Sequence, residues 1–149
     1  MAFSEDMPDA PPNDFRLLAF FLADHAEAIN GKLYVHGGYW NRLASPSFPL
    51  VMAALTVVAM IEVPATKYQS DHRLAIQLED ADGRPLGMRV DGEFRVGAGP
   101  DMEVGEPTTI PLAMPIRGMS FERAGRYTLT LDIDGGPLGR YSVRVDQAT

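Results

Sequence analysis

Three histidines and two acidic pairs are the residues whose types and spacing could do chemistry in this chain. A metal site needs several ligands that converge at close range. His25 and His36 flank a turn sequence at Asn30-Gly31, so a hairpin would bring them together, with Asp24 or Glu27 adding a carboxylate. No His-x-His and no His-Glu-x-x-His occurs, and His72 stands alone, so solvated or hydrogen-bonded histidines are the simpler reading. Asp80-Ala81-Asp82-Gly83 and Asp132-Ile133-Asp134-Gly135 repeat an Asp-x-Asp-Gly pattern. Calcium takes several carboxylate oxygens on loops, which makes Asp80, Asp82, Asp132 and Asp134 candidate metal ligands if the two loops share an end. Asp-Gly is equally an ordinary hairpin turn, because both residues tolerate positive φ.

The run His36-Gly37-Gly38-Tyr39-Trp40-Asn41-Arg42 holds the single tryptophan beside a tyrosine. Glycines inside a strand signal a bulge or a close backbone approach, and exposed aromatics can anchor a partner. A small pocket near His25, His36 and Trp40 is one alternative reading, as an enzyme. Nothing else supports catalysis. Serines 4, 45, 47, 70, 120 and 142 lie in no Gly-x-Ser-x-Gly elbow. Gly97-Ala98-Gly99 lacks the third glycine of a phosphate loop. Cysteine is absent, so no thiolate, disulfide or cysteine zinc site exists. We expect no catalytic residue and no cofactor.

The formal net charge is -7. That charge repels phosphate backbones and anionic bilayers, so neither nucleic acid nor membrane is an expected partner. The leader is acidic (Glu5, Asp6, Asp9, Asp14) and proline-rich (Pro8, Pro11, Pro12), unlike a signal peptide. The expectation is a cytoplasmic protein with a flexible tail over 1–14 and a single domain over 15–149.

The elements that position these residues alternate with a period of two. Leu74, Ile76 and Leu78 share one face against Arg73, Gln77 and Glu79; Tyr127, Leu129, Leu131 and Ile133 share another. That is the pattern of half-buried antiparallel strands. The spacing predicts eight strands, at 16–23, 32–40, 51–62, 72–79, 86–96, 108–117, 126–133 and 139–146, with a helical turn over Asp24 to Ala28. Pro107, Pro111 and Pro115 mark segment 107–116 as an edge strand or an extended connection, since proline cannot donate to a ladder. Strands 16–23 and 51–62 break the rule by being apolar on both faces. A second apolar face needs a cover, from this chain or another.

Two stretches carry a resemblance. Phe121 to Gly135, with Gly125-Arg126-Tyr127, resembles the penultimate strand of immunoglobulin-like sandwiches, which implies a tyrosine hydroxyl tied to nearby backbone. Ala23-Asp24-His25-Ala26, then Asn30-Gly31-Lys32-Leu33 through Trp40, then Phe48-Pro49, resembles an uncharacterised bacterial family, a domain of unknown function. That resemblance covers nearly the whole chain after the tail and implies no catalytic residues. The expected fold is all-β, an immunoglobulin-like antiparallel sandwich. The expected function is a non-enzymatic binding or assembly module, self-associating or gripping a protein through apolar strand faces. Its candidate surface is Phe20, Leu22, His36, Tyr39, Trp40, Met52, Val58 and Met60. A calcium- or metal-dependent ligand-binding sandwich is the alternative.

Overall fold

The computed structural model of the protein describes residues 14–97 and 99–149. The tail expected over 1–14 lies, apart from Asp14, outside the described residues. The chain is all-β. Its strands are β1 (Arg16–Ile29), β2 (Lys32–Gly38), β3 (Arg42–Ser45), β4 (Leu50–Val63), β5 (Asp71–Glu79), β6 (Pro85–Arg95), β7 (Thr108–Phe121), β8 (Gly125–Ile133) and β9 (Gly136–Gln147). They form a four-stranded sheet in the order β2-β1-β4-β7 and a five-stranded sheet in the order β3-β9-β8-β5-β6. No described helix is long and apolar enough to cross a membrane.

The two sheets face each other across one core. Phe20, Leu22, Leu55, Val57 and Ile61 meet Ile76, Leu78, Leu129, Leu131 and Val143 there. Tyr127 lies in the same core. Its hydroxyl donates to the Arg123 carbonyl at 2.6 Å and accepts from the Arg123 N–H at 3.4 Å, the tie that Gly-x-Tyr implied.

Two local expectations are corrected. Asp24 to Ala28 is not a helical turn, because β1 runs on to Ile29 and pairs with β2 through Ile29↔Lys32. The alanines there favour helix only weakly. The Asn30-Gly31 turn, with φ of 52° and 77°, closes a hairpin whose ladder outweighs that preference. The second correction adds β3, too short to show a period, which pairs in parallel with β9.

The two-sided strands β1 and β4 lie side by side in the middle of their sheet. Pairing of β1 with β4 ends at Ala23↔Thr56, and the rest of β1 pairs with β2 alone. This distal hairpin folds back over the outer face of the sheet. There Ala23, Ala26 and Val58 form a second small core, with Phe21, Leu33 and Ala113 against it. Accordingly β1 and β2 both approach β7, although β2 and β7 are opposite edges. The chain therefore covers the centre of its own second apolar face.

This second core has an energetic signature. Val58 is 0% exposed and Val51, on the same strand, is 56% exposed. Val58→Ala should cost about 2 kcal/mol in urea unfolding, from lost methyl burial and the void left behind. Val51→Ala should stay within about 0.5 kcal/mol. Equal effects at the two positions would show that the outer face is not a core.

Candidate functional site

A β-sandwich leaves sheet edges whose free N–H and C=O groups invite another strand, and proteins usually block them. Among the described residues there are four edges. β7 carries Pro111 and Pro115 opposite Met60 and Thr56, so their missing donors face the open side. This confirms the edge position expected from the prolines. β6 begins at Pro85 and presents Arg89, Asp91, Glu93 and Arg95. β3 is only four residues long. β2 is the least protected, with a single charge, Lys32, at its first residue. It is seven residues long, carries no proline, and is exposed except at Leu33.

Exposed apolar side chains gather at this same edge. Tyr34 and Val35 lie on β2, Ile29 lies on the hairpin beside it, and Tyr39 follows directly. Gly37 sets the exit of the strand. Its φ is +60°, and a Cβ there would run into the Asp24 carboxylate. Past it, the Tyr39 N–H donates to the Leu22 carbonyl at 2.7 Å, which anchors the chain across the end of β1.

The Tyr39 ring is 68% exposed, with its inner side against Phe21 at 5.8 Å and Tyr141 at 5.7 Å. It forms one wall of an open concavity of about 510 Å3, completed by Leu17, Leu18, Phe21 and Arg140. Burial pushes the Tyr141 phenol above its usual pKa, and its hydroxyl donates to the Trp40 carbonyl at 2.6 Å. Trp40 itself packs on the main core, and its buried Nε1 has no acceptor among the described residues.

The sequence-derived candidates separate into three groups. Phe20, Leu22 and Val58 are buried by this chain, so their side chains offer nothing to a partner. Trp40, Met52 and Met60 are half-buried. His36 and Tyr39 are exposed. His25 and His36 do face each other across β1 and β2, with ring centres 6.3 Å apart, and His25 Nε2 lies 3.4 Å from Glu27. Trp40 belongs to the main core, so these three do not share a pocket. Among the described residues no group of three metal-ligating side chains converges.

The paired Asp-x-Asp-Gly loops do not share an end either. β5 and β8 are antiparallel, with Leu74↔Ile133 at one end and Glu79↔Thr128 at the other. Asp80 and Asp82 therefore sit at the opposite end of the sheet from Asp132 and Asp134. The Asp80 loop satisfies itself. Asp80 accepts from the N–H groups of Asp82 at 2.9 Å and Arg84 at 3.0 Å, which holds its carboxyl below the usual range.

Asp134 reaches instead to His72, which is buried. His72 Nδ1 is 2.8 Å from Asp134 Oδ2, and Nε2 is 3.1 Å from Ser70 Oγ. These are the distances of a Ser-His-Asp triad. The chemistry is not. Nε2 lies closer, at 2.7 Å, to the Lys67 carbonyl, so its N–H is given to that acceptor and no lone pair is left to activate Ser70. The ring, edge-on to Phe15, is a clasp that joins the loop after β4 to the β8–β9 turn. The sequence hid it because 62 residues separate its two ends.

A family model described as a family of unknown function, DUF6941, matches residues 18–146. No curated protein matches the chain.

The clasp predicts a pH dependence. Partial burial alone would raise the Asp134 pKa; the Arg73 N–H at 2.9 Å and His72 outweigh it and hold the pKa below 3.8. A depressed carboxylate stabilises the fold fully above its unfolded pKa and loses that contribution as pH falls through the folded value. Asp134→Asn should thus lower urea stability at neutral pH, and the gap to the native protein should close in acid. A gap that is the same at both pH values would refute this role.

Proposed function

The chain belongs to this family of unknown function, and from its geometry we propose that it is a non-enzymatic assembly module whose partner is a second copy of itself. The observation that carries this reading is the unblocked edge of β2. The other described edges are each closed by proline, several charges or brevity, whereas β2 carries one charge at its end and leaves Leu33 to Gly38 open to strand addition. Strand addition supplies main-chain hydrogen bonds, and the alternate side chains supply specificity.

A two-fold axis through the centre of β2 would pair it with itself in antiparallel fashion, as closed homodimers require. About such an axis at Val35, Tyr34 would lie across from the second copy's His36, and Leu33 from its Gly37. Tyr39 and Ile29 would flank the joined strands. The apolar residues that the curled sheet leaves outside would then be covered. The absence of cysteine fits a reducing, cytoplasmic setting for such an assembly.

Sedimentation velocity over a wide concentration range tests the reading. The native chain should form a dimer, and Tyr34→Lys with Val35→Lys should return it to monomer, with the melting temperature that the native chain shows when dilute enough to be monomeric, since both side chains are exposed in the single chain. Amide exchange should slow along β2 as the dimer forms. A strict monomer at high concentration, or a dimer that the double variant leaves intact, would overturn it.

A further inference from the structure

The outer face of the five-stranded sheet is wet, and across β5 and β6 its arginines are neutralised one by one. Arg73 lies 3.5 Å from Glu93, Arg89 lies 3.0 Å from Asp91, and Arg95 lies 3.5 Å from Asp71. The opposite side of the same face departs from this rule. Register pairs Arg42 with Arg144 and Arg144 with Arg126, so three guanidinium groups occupy one rung of β3, β9 and β8. Neighbouring strands lie about 4.8 Å apart, and like charges opposite one another destabilise a sheet.

A single carboxylate serves this rung. Asp146 accepts Arg42 Nε on one oxygen and Arg144 Nε on the other, each at 2.9 Å. Both guanidinium groups are thereby held by their inner nitrogen, and among the described residues their terminal N–H groups have no partner. Arg126 has no ion pair among the described residues. The cluster therefore carries a local charge of about +2, from three arginines and one aspartate, within a chain of net charge -7. The side chains enclose a concavity of about 260 Å3, completed by Asn41 and the Ser142 hydroxyl. Fixed guanidinium forks with free outer donors are suited to oxygen anions, which they bind through two parallel hydrogen bonds.

We propose that Arg42, Arg126 and Arg144, with Asn41 and Ser142, form a binding site for a compact dianion of the phosphate class, such as a phosphomonoester. The charge of the ligand matches the local excess. The size of the concavity favours a small group over an extended polyanion, which the acidic remainder of the chain would repel. Asp146 is a positioning residue, since it holds two of the arginines and would not touch the ligand. The site faces solvent on the other sheet from β2, so it is independent of the assembly edge.

Calorimetry with inorganic phosphate and with O-phosphoserine on the full chain tests the site, with acetate as a monoanion. Both phosphates should bind saturably, and acetate should bind at least about tenfold more weakly. Tighter binding of O-phosphoserine would assign the ligand to a phosphomonoester, and equal binding would assign it to free phosphate; either supports the site. Arg126→Gln removes no described bond, so it should fold normally and weaken phosphate about tenfold or more, while Arg89→Gln on β6 should bind like the native chain. Phosphate should also raise the melting temperature of the native protein and not that of Arg126→Gln. Absence of saturable binding up to about 10 mM phosphate, or equal binding by Arg126→Gln, would overturn the proposal.

Discussion

Strand β4 admits water to neither face between Leu55 and Ala59, and the remaining architecture follows from that constraint. Leu55, Val57 and Ala59 fill the space between the sheets, while Thr56 and Val58 point the other way and are buried too. An ordinary sandwich sheet has one dry face and one wet face. Here the second face is dried by curvature. β1 leaves β4 after Ala23 and carries β2 back over the sheet, so the hairpin acts as a lid on the strand from which it springs. The apparent excess of hydrophobic sequence is thereby consumed within one chain over 55–59, while Val51, Ala53 and Ala54 stay exposed.

That solution divides the molecule into unlike halves. The curled sheet spends its apolar residues on two cores, and those it cannot enclose appear on the β1–β2 hairpin and at Tyr39. The flatter polar work falls to the five-stranded sheet, whose outer face is tiled with ion pairs. The exposed pairs contribute little stability individually. Their value here is as a background of local neutrality, against which the arginine rung across β3, β9 and β8 is conspicuous.

Much of the fold was legible in the sequence because alternation is a local property. Leu74, Ile76 and Leu78, or Tyr141, Val143 and Val145, declare their buried face without any knowledge of neighbours, and Pro111 with Pro115 declares an edge. What could not be read depends on partners distant in sequence. The curl that buries Val58 needs the hairpin's path. The four residues of β3 are too few to show a period. The clasp between His72 and Asp134 joins two loops. The arginine rung was hidden: the turn at Asp134-Gly135 alone would set Arg126 opposite Val143, a bulge between Leu131 and Asp132 shifts it to Arg144, and β3 completes the row. The candidate calcium ligands are apart for a converse reason, since two similar Asp-x-Asp-Gly motifs were local signals whose placement depended on a strand direction that neither encodes.

The parallel pairing of β3 with β9 has a consequence for how the protein is made. Arg42 and Asp146 are 104 residues apart, yet they close the same sheet edge. Contacts of such separation are formed late, because loop closure must precede any gain from them. On a ribosome, the chain can assemble the β1–β2 hairpin and extend β4 early, but the edge closes only when the last strand has emerged. Until then the wall that β5 and β8 build opposite the first sheet lacks Tyr141, Val143 and Val145. Emergence of β9 is therefore the step at which the sandwich closes, and removing that strand would leave part of the inner apolar face uncovered.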